Sequence, residues 1–245
     1  MLALVLAAML GQVGSPEGPI FTSWRSMGAS SLLTGLVSYY AMEGNGTDAL
    51  GANSGTPTAI TFSAGNGKVA QGAGYTGATS AIAIPASASL DIVTDLTISC
   101  WLYNTADADF YTVVAHMLGG GGTNNVNYHL IKIPSSQLQL HTQSDTGVVG
   151  PNLSLTTWTH IAVTRDTSGN VEWFVNGASW GTGSGPAPYS RALATTQIGS
   201  RADAYSYWHG NIDEVGIWSR KLTSAEVAVL YNSGTGRTHP FPGAP

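Results

Sequence analysis

The sequence predicts an all-β protein, and two observations carry that prediction. Only 9% of the 245 residues are charged, whereas an ordinary soluble domain has about 25%. The missing charges are replaced by uncharged polar residues and by 31 glycines, which favour turns. From Leu36 onward, short runs of β-branched and aromatic residues alternate with Gly, Asn, Ser and Thr, a pattern typical of the many short strands of a sandwich or barrel.

The same composition excludes several classes of protein. Coiled coils and long surface helices need Glu, Lys and Arg on their solvent faces. A nucleic-acid-binding protein needs a basic surface, but this chain has a net charge of −5. We therefore expect neither a coiled coil nor a nucleic-acid partner.

The first segment, residues 1–33, is predicted to be an N-terminal arm. Its run Met1–Leu10 is apolar but too short to span a bilayer, which takes about 20 residues. It lacks the basic residues and the cleavage site of a signal peptide, so we expect an uncleaved arm, with cleavage near Gly14 as the alternative. An apolar arm needs cover, and the residues predicted to dock on a partner are Leu2, Leu4, Leu6, Met9, Leu10 and Trp24.

The body of the chain, residues 34–236, contains eleven predicted strands and no domain linker. Turn sequences such as Asn176-Gly177 separate the strands, because Asn and Gly tolerate a positive φ. The strands are expected near residues 37–42, 59–63, 81–84, 96–103, 111–116, 128–133, 138–143, 158–165, 171–176, 196–199 and 211–219.

One short helix is predicted near the C-terminus. Thr223 and Glu226 have the spacing of a capping box, in which each side chain accepts a hydrogen bond from the other residue's backbone N–H. Val227, Leu230 and Tyr231 follow at helical spacing, and Asn232-Ser233-Gly234 ends the helix. Residues 237–245 are expected to form an extended tail.

Four segments, in chain order, resemble the laminin-G-like members of the concanavalin A-like lectin/glucanase superfamily. They are Leu36–Asn45, Leu96–Leu102, the hairpin Trp158–Gly177, and Gly210–Trp218 with the helix after it. The resemblance covers about residues 34–236. It implies two antiparallel sheets packed face to face as a jelly-roll sandwich.

The resemblance also implies a Ca²⁺ ion where the first loop meets the last strand. The matching positions are Glu43, Asp48 and Asp213, since Ca²⁺ binds carboxylate and carbonyl oxygens. The loop after Asp48 departs from the family's spacing of Asn and Gly. The alternative is that Asp48 caps a turn and that Asp213 bonds the backbone of the first loop.

The segment from Asp203 to His209 has the composition of a glycan-binding loop. An aromatic platform flanked by hydrogen-bonding groups suits a sugar, and the predicted contacts are Tyr205, Tyr207 and Trp208. The alternative is that these aromatic residues close one end of the core. Other aromatic candidates are Trp180, Tyr189 and Tyr111.

Catalytic patterns are weak, and we expect no enzyme. A retaining glycosidase needs two carboxyl groups about 5–5.5 Å apart, but Asp213 and Glu214 are adjacent and would point to opposite faces of a regular strand. His160 and Cys100 are expected to be buried in strands. Three histidines lie on neighbouring predicted strands but lack the spacing of a zinc site. They are His116, His129 and His141.

Taken together, the sequence favours a non-catalytic structural or adhesion protein on the surface of a virion, such as a phage capsid decoration or a tail or fibre component. The arm would bind other virion or cell-surface proteins within a homo-oligomer or larger assembly, and the sandwich would face outward and bind cell-surface glycans. The first alternative is a secreted lectin or carbohydrate-binding module. A glycoside hydrolase is disfavoured, and no membrane-spanning segment is expected.

Overall fold

A computed structural model describes residues 31–119, 125–143 and 147–242. Within these ranges, fifteen strands form two antiparallel sheets, and a short helix, α1 (Ser224–Tyr231), follows the last strand. The strands are β1 (Leu36–Tyr40), β2 (Thr56–Thr58), β3 (Thr61–Ser63), β4 (Gly72–Thr76), β5 (Ala81–Ile84), β6 (Leu96–Asn104), β7 (Tyr111–Met117), β8 (Val126–Lys132), β9 (Gln137–His141), β10 (Val148–Asn152), β11 (Trp158–Arg165), β12 (Asn170–Val175), β13 (Ala178–Ser184), β14 (Thr195–Ile198) and β15 (His209–Trp218).

The two sheets each mix strands from distant parts of the chain. Sheet A has the order β13-β12-β11-β6-β15-β4-β3, and β1 also pairs with β15. Sheet B has the order β10-β9-β8-β7-β14-β5-β2. This is the predicted sandwich, and the expectation of an all-β, two-sheet fold with a short C-terminal helix is confirmed.

The main core lies between the two sheets. Alternate residues of each strand point inward, because side chains on a strand alternate between faces. Sheet A contributes Ile98, Cys100 and Ile161, and sheet B contributes Val114 and Leu130, all of them fully buried. The alternation detected in the sequence is therefore the pattern that builds this core.

A second, smaller core lies on the outer side of sheet A, beneath α1 and the C-terminal residues 237–242. Trp218 is buried there, and its Nε1–H donates to the Leu32 carbonyl oxygen at 2.7 Å. Phe241 is also buried and meets the Tyr39 ring edge-on, with 5.2 Å between ring centroids. Residues 237–242 thus pack against the sandwich. We call this side of sheet A the covered face.

The helix α1 is held at both ends as the sequence predicts. Thr223 Oγ1 accepts from the backbone N–H of Glu226, and the Glu226 carboxylate accepts from the backbone N–H of Thr223. The helix ends at Asn232, which adopts the left-handed conformation. Arg220 forms an ion pair with Glu226 at 2.7 Å, which ties the N-terminus of α1 to the end of β15.

The predicted strands correspond to observed strands within a few residues, and those at 81–84 and 158–165 coincide with β5 and β11. Four strands were not predicted: β2, β4, β10 and β13. These strands are short or rich in Gly, Thr, Ser and Pro, residues with little strand propensity apart from Thr. Their pairing with stronger neighbours, and not their own sequence, keeps them extended.

Two further expectations concern the docking residues of the arm and the absence of a membrane-spanning segment. The docking residues of the arm, Leu2, Leu4, Leu6, Met9, Leu10 and Trp24, lie outside the described residues. Among the described residues, none belongs to a helix that is both long and apolar enough to cross a membrane.

Candidate functional site

The outer side of sheet B, which we call the open face, carries two neighbouring histidine side chains. Ala115 of β7, His129 of β8 and His141 of β9 stand side by side across three strands. Their strand neighbours Val114 and Leu130 point the other way, into the main core. Strand alternation therefore places the two histidines on the outer side of the sandwich.

These two histidines form a pair beneath the surface of the open face. Their ring centroids are 5.6 Å apart. Nε2 of His129 lies 2.9 Å from the Thr112 hydroxyl, and Nε2 of His141 lies 2.9 Å from Gln139 Oε1. Burial, followed by the proximity of His141 and Arg201, holds the pKa of His129 well below its usual value, so His129 is neutral at pH 7.

The third histidine of the predicted set, His116, does not join them. Its ring stacks on Tyr128 on the core side of sheet B, with centroids 5.3 Å apart, and its Nδ1 lies 2.8 Å from the Thr196 hydroxyl. Burial lowers the pKa of His116 to about 4. It follows Ala115 directly, so alternation sends its side chain to the opposite face.

A loop of residues 199–208 rises over this face and is pinned at several points. The Trp208 N–H donates to the Gly199 carbonyl at 2.7 Å, and the Arg201 N–H donates to the Tyr205 carbonyl at 2.9 Å. The Ser206 carbonyl accepts from the N–H of Thr112 on β7 at 2.8 Å. Backbone bonds of this kind fix the loop against sheet B.

Gly199 is required where this loop begins. Its φ is +86°, and a Cβ there would lie 2.0 Å from Cε1 of the buried Tyr75. A side chain at residue 199 would therefore clash with the core and displace the loop.

The loop also separates the three predicted glycan contacts. Tyr205 is 55% exposed, and Tyr207 is half-buried. Trp208 is fully buried in the main core, so the prediction that Trp208 contacts a sugar is wrong. Its indole anchors the loop, which is the alternative that the sequence had left open for these aromatic residues.

Between this loop and the open face lies a cavity of about 280 Å³, which we call the main cavity. Tyr205 and Phe110, which is 42% exposed, stand at its rim. Apolar side chains of β7 and β8 line it together with two histidines, an arginine and a serine. The complete lining is Phe110, Met117, Val126, His129, Ile131, His141, Arg201, Tyr205 and Ser206.

A smaller cavity of about 140 Å³, the side cavity, shares three residues with the main cavity: Phe110, Tyr205 and Ser206. Tyr207 and Asp109 line its other walls. The Ser206 hydroxyl is buried and makes no hydrogen bond to the described residues. The two exposed aromatic rings therefore stand between two adjoining cavities.

Arg201 and Asp203 form an ion pair within the loop. Arg201 Nη2 lies 2.9 Å from Asp203 Oδ2, and both side chains are about one-fifth exposed. The Arg201 guanidinium carbon also lies 5.8 Å from the centroid of the Tyr205 ring, within the range of a cation–π contact. The loop thus orients its exposed tyrosine with a charged neighbour.

Other exposed aromatic side chains lie away from this site. A wider cavity of about 560 Å³ is lined by Leu118, Gln143 and the loop residues 189–193. Tyr189 is 55% exposed there and stacks on the Arg191 guanidinium at 4.1 Å. Trp180 is 52% exposed on β13 of sheet A. Tyr111, in contrast, is buried and lines the side cavity.

Asp48, the first carboxylate of the predicted calcium set, is engaged by the backbone. Its Oδ1 accepts from the N–H groups of Tyr39 and Leu50 at 2.9 and 3.1 Å, and its Oδ2 accepts from the N–H of Asn53 at 3.0 Å. It caps the first loop, as the alternative interpretation proposed.

The other two predicted ligands do not complete a calcium site. Asp213 Oδ2 accepts from the N–H groups of Lys68 and Val69 at 2.8 and 2.9 Å, and Glu43 accepts from the N–H of Gln71 at 3.2 Å. Within the described ranges there is no group of three His, Cys, Asp or Glu side chains that could hold a metal ion. Glu43, Asp48 and Asp213 therefore do not form a three-carboxylate site. Calcium binding through fewer carboxylates together with carbonyl oxygens stays a prediction.

Asp213 and Glu214 depart from the expected alternation. The pairing of β15 shifts register between Asp213 and Gly216, and Glu214 has a φ of 53°. Ile212 and Val215 both enter the main core, so the two acidic residues between them share one outward position, as in a β-bulge. The expectation of opposite faces holds only for a regular strand and is wrong here.

Both bulge carboxyl groups are buried on the outer side of sheet A, Asp213 against the backbone of Lys68 and Val69 and Glu214 near the C-terminal segment. A hydrogen bond joins Glu214 to the Tyr39 hydroxyl, which also lies 2.9 Å from the Arg237 carbonyl oxygen. Burial is the largest cause that raises the pKa of Asp213 to about 7 and that of Glu214 to about 9. These groups belong to the covered face, on the side of the sandwich away from the main cavity.

His160 and Cys100 are buried, as predicted. His160 Nε2 lies 2.9 Å from the Ser99 hydroxyl, and burial lowers its pKa to about 3. Burial raises the pKa of the Cys100 thiol, which keeps it protonated. Neither group has the exposure that a nucleophile or a base would need.

The fold and the site together define a lectin-like sandwich with one open, cavity-bearing face. A family model described as the concanavalin A-like lectin/glucanases superfamily matches residues 76–228. The chain belongs to that superfamily, which confirms the resemblance over residues 76–228 of the 34–236 predicted. None of the curated proteins matches the chain.

Solved structures with the same fold include proteins that act on or bind sugars. A Trypanosoma rangeli sialidase is 14% identical, with a TM-score of 0.63, and the match covers 82% of this chain but 33% of the sialidase. Domain 4 of AbnA, an extracellular GH43 arabinanase from Geobacillus stearothermophilus, was solved with arabinotriose. It is 22% identical, with a TM-score of 0.59, and the match covers 79% of this chain and 96% of that domain.

A third similar structure is the binding domain of Paraclostridial Mosquitocidal Protein 1. It is 17% identical, with a TM-score of 0.61, and the match covers 81% of this chain and 52% of that one. This chain therefore spans about a third of the sialidase and about half of the mosquitocidal binding domain. At these identities the likeness concerns the fold.

Sequence reasoning found part of this site but did not assemble it. Tyr205, Tyr207, His129 and His141 were noted as separate candidates, whereas Phe110 was missed. The alternation of β7, β8 and β9 was the signal that places the histidines on one face. The fold of the 199–208 loop over that face depends on contacts distant in sequence, which no local pattern reveals.

Proposed function

We propose that this protein is a non-catalytic, glycan-binding adhesion protein whose ligand occupies the main cavity. The observation that carries the proposal is that two exposed aromatic rings, Tyr205 and Phe110, line one cavity together with the polar side chains of His129, His141 and Arg201. The superfamily and the sugar-related proteins that share the fold support the proposal.

The chemistry of a sugar suits such a cavity. A pyranose or furanose ring has an apolar face of C–H groups, which packs on an aromatic ring, and a rim of hydroxyls, which need hydrogen-bonding partners. Ligand sites commonly combine apolar and aromatic walls with a few convergent polar groups. Here the aromatic rim supplies the apolar stacking surface, and the imidazoles and the guanidinium supply the hydrogen-bonding groups.

The side cavity suggests a ligand longer than one sugar. Because the two cavities share Phe110, Tyr205 and Ser206, a linear oligosaccharide can place one unit in each. Tyr207 would then contact the second unit, in keeping with its prediction as a glycan contact. We infer that the ligand is an oligosaccharide of at least two units.

The lining of the main cavity disfavours glycoside hydrolysis. Hydrolysis by a retaining mechanism needs two carboxyl groups at the scissile bond. The described lining of the main cavity includes neither Asp nor Glu, and that of the side cavity includes one carboxyl group, Asp109. The buried pair Asp213 and Glu214 lies on the covered face. We therefore propose recognition without cleavage.

A glycan array followed by calorimetry tests the proposal, with Tyr205→Ala compared with Tyr189→Ala. The two tyrosines are equally exposed, each lies over an arginine, and they line different cavities. Wild-type protein should bind an oligosaccharide. Tyr205→Ala should weaken it by about tenfold or more, as expected for an aromatic residue at the centre of a site, and Tyr189→Ala should leave the affinity unchanged.

Two results would contradict the proposal. If the wild-type protein binds no oligosaccharide, glycan binding is wrong. If Tyr189→Ala abolishes binding and Tyr205→Ala does not, the wider cavity is the site instead. Thermal unfolding of both variants checks that neither substitution has disrupted the fold.

The proposed place of this adhesion protein is the surface of a virion, with residues 1–33 docked on a neighbouring protein of the particle. The support is the sequence of the arm, which is apolar from Met1 to Leu10 and needs a partner to cover it. Mass spectrometry of the native protein that finds Met1 retained would favour the arm. A cut near Gly14 would favour the alternative, a secreted lectin.

A further inference from the structure

We propose that Asp203 sets the specificity of the main cavity, so that it accepts neutral sugars in preference to carboxylated ones. The inference rests on the proposed glycan-binding function and adds the chemical class of the ligand. Its basis is the ion pair that Asp203 forms with Arg201 at the wall of the cavity.

Arg201 is the group that an acidic sugar would need. Arginine binds a carboxylate through two parallel N–H···O bonds, which is the strongest polar contact available to such a ligand. No other lysine or arginine is found among the described residues that line the main or the side cavity. A carboxylated sugar would therefore depend on this one guanidinium.

Asp203 already holds that guanidinium. Its Oδ2 lies 2.9 Å from Arg201 Nη2, and both side chains are largely shielded from solvent. The loop bonds from Arg201 N–H to the Tyr205 carbonyl and from Ala204 N–H to the Arg201 carbonyl keep the two residues close. A carboxylate ligand would have to displace Asp203 or lie beside it, and like charges at that distance repel.

The surrounding charges add to this effect. The Asp109 side chain is exposed at the wall of the side cavity, and the whole chain has a net charge of −5. His129 is neutral because burial depresses its pKa, so it does not offset these carboxylates. The two cavities together therefore carry no unpaired arginine or lysine charge.

A neutral sugar meets none of these obstacles. Its hydroxyls both donate and accept hydrogen bonds, so they are compatible with an Arg–Asp pair that stays intact. The site can thus accommodate hydroxyls without breaking the ion pair.

The test is an array that presents neutral oligosaccharides beside counterparts in which one CH₂OH is replaced by COOH, followed by titration of the best-bound pair. Wild-type protein should prefer the neutral member. Asp203→Asn should shift the ratio of the two affinities toward the acidic member by about tenfold or more, because a hydrogen bond to a freed charged group contributes at least that much.

Matched variants show whether the shift acts through Arg201. Asp109→Asn removes the same charge from the side cavity and leaves the ion pair intact, so it should change the ratio by less than about threefold. The double variant Arg201→Gln/Asp203→Asn should lose the shift. If Asp203→Asn proves unstable on thermal unfolding, Asp203→Ser serves in its place.

The outcomes separate the two proposals. A wild-type preference for the acidic member, or equal shifts in Asp203→Asn and Asp109→Asn, would overturn the role of Asp203 while glycan binding stands. A shift that persists in the double variant would overturn the route through Arg201. If neither member of any pair binds, the proposed function itself fails.

Discussion

The outer faces of the two sheets differ in what covers them. The covered face of sheet A lies beneath α1 and residues 237–242, which bury Trp218, Tyr39 and Phe241. On the open face of sheet B, the 199–208 loop covers only part of the surface and leaves the main cavity beside Tyr205.

The two faces also use their polar groups differently. On the covered face, Asp213, Glu214 and Tyr39 are bonded to other parts of the chain or buried by them. On the open face, His129 and Arg201 have protein partners but still line a cavity. The difference teaches that the titratable groups of the covered face are enclosed by the chain and act on stability, whereas polar groups of the open face line the cavity where we propose that the ligand binds.

Removal of a large side chain from the covered face should have the largest effect. Trp218→Ala deletes a fully buried indole and its hydrogen bond to the Leu32 carbonyl. The free energy of unfolding should fall by about 3–5 kcal/mol, the usual cost of truncating a buried tryptophan. Denaturation by urea, followed by circular dichroism, measures this change.

Trp180→Ala is the matched control, since Trp180 also lies on sheet A but is 52% exposed. Its truncation should change the free energy of unfolding by no more than about 0.5 kcal/mol. Equal losses in the two variants would mean that the helix and the C-terminal segment do not form a stabilising core.

A change of pH should produce the next largest effect, through Glu214. Its pKa is raised from 4.5 to about 9 in the folded protein, so between these values the folded state retains a proton that the unfolded state has lost. The contribution of Glu214 to the free energy of unfolding is therefore fully present below pH 4.5, its unfolded pKa, and is lost as the pH rises toward 9. The slope for one such group is about 1.4 kcal/mol per pH unit.

In the window from pH 7 to 9 Glu214 makes the larger contribution, because the pKa of Asp213 is raised only to about 7 and its carboxyl group is mostly ionised above that value. Buried histidines such as His116, whose pKa is lowered to about 4, increase the free energy of unfolding as the pH rises to about 6.5. Above that pH their contribution is constant. Wild-type protein should lose about 2–3 kcal/mol across the window, and Glu214→Gln should lose much less. A wild-type stability that stays level from pH 7 to 9 would show that Glu214 is ionised in the folded protein.

The fold was predictable because its strongest strands carry their own pattern. Strand β6 and the hairpin of β11 and β12 alternate clearly, and the turn Asn176-Gly177 ends β12. The capping box of Thr223 and Glu226 is likewise a local signal. Strand β13, with Gly at alternate positions, has no such pattern and is extended because it pairs with β12.

The site was less predictable because it depends on distant contacts. Trp208 and Tyr205 are three residues apart in one aromatic loop, yet one is buried and the other is 55% exposed. The bulge at Glu214 is a tertiary feature, so a rule based on regular alternation misplaced its side chain. Sequence composition identified the loop, but only its packing on sheet B decides which aromatic residue lines the main cavity.

The smallest expected effect is on the open face, and it tests whether the two faces are independent. Between pH 7 and 9 the stability of the covered face should fall, but the affinity for the oligosaccharide should change by less than about twofold. His129 is already neutral throughout this window, because burial holds its pKa well below 6.5. Asp213 and Glu214 titrate on the other side of the sandwich, separated from the main cavity by the main core.

Calorimetric titrations at pH 7, 8 and 9, at a temperature where the protein stays folded, measure this affinity, with Glu214→Gln as the control. If the wild-type affinity falls in step with stability and the Glu214→Gln affinity does not, ionisation on the covered face reaches the open face. The sandwich would then transmit a charge on one outer face to the other, and the division between a stabilising face and a binding face would be wrong. A constant affinity in both proteins would mean that the rigid core isolates the binding site from the buried carboxyl groups.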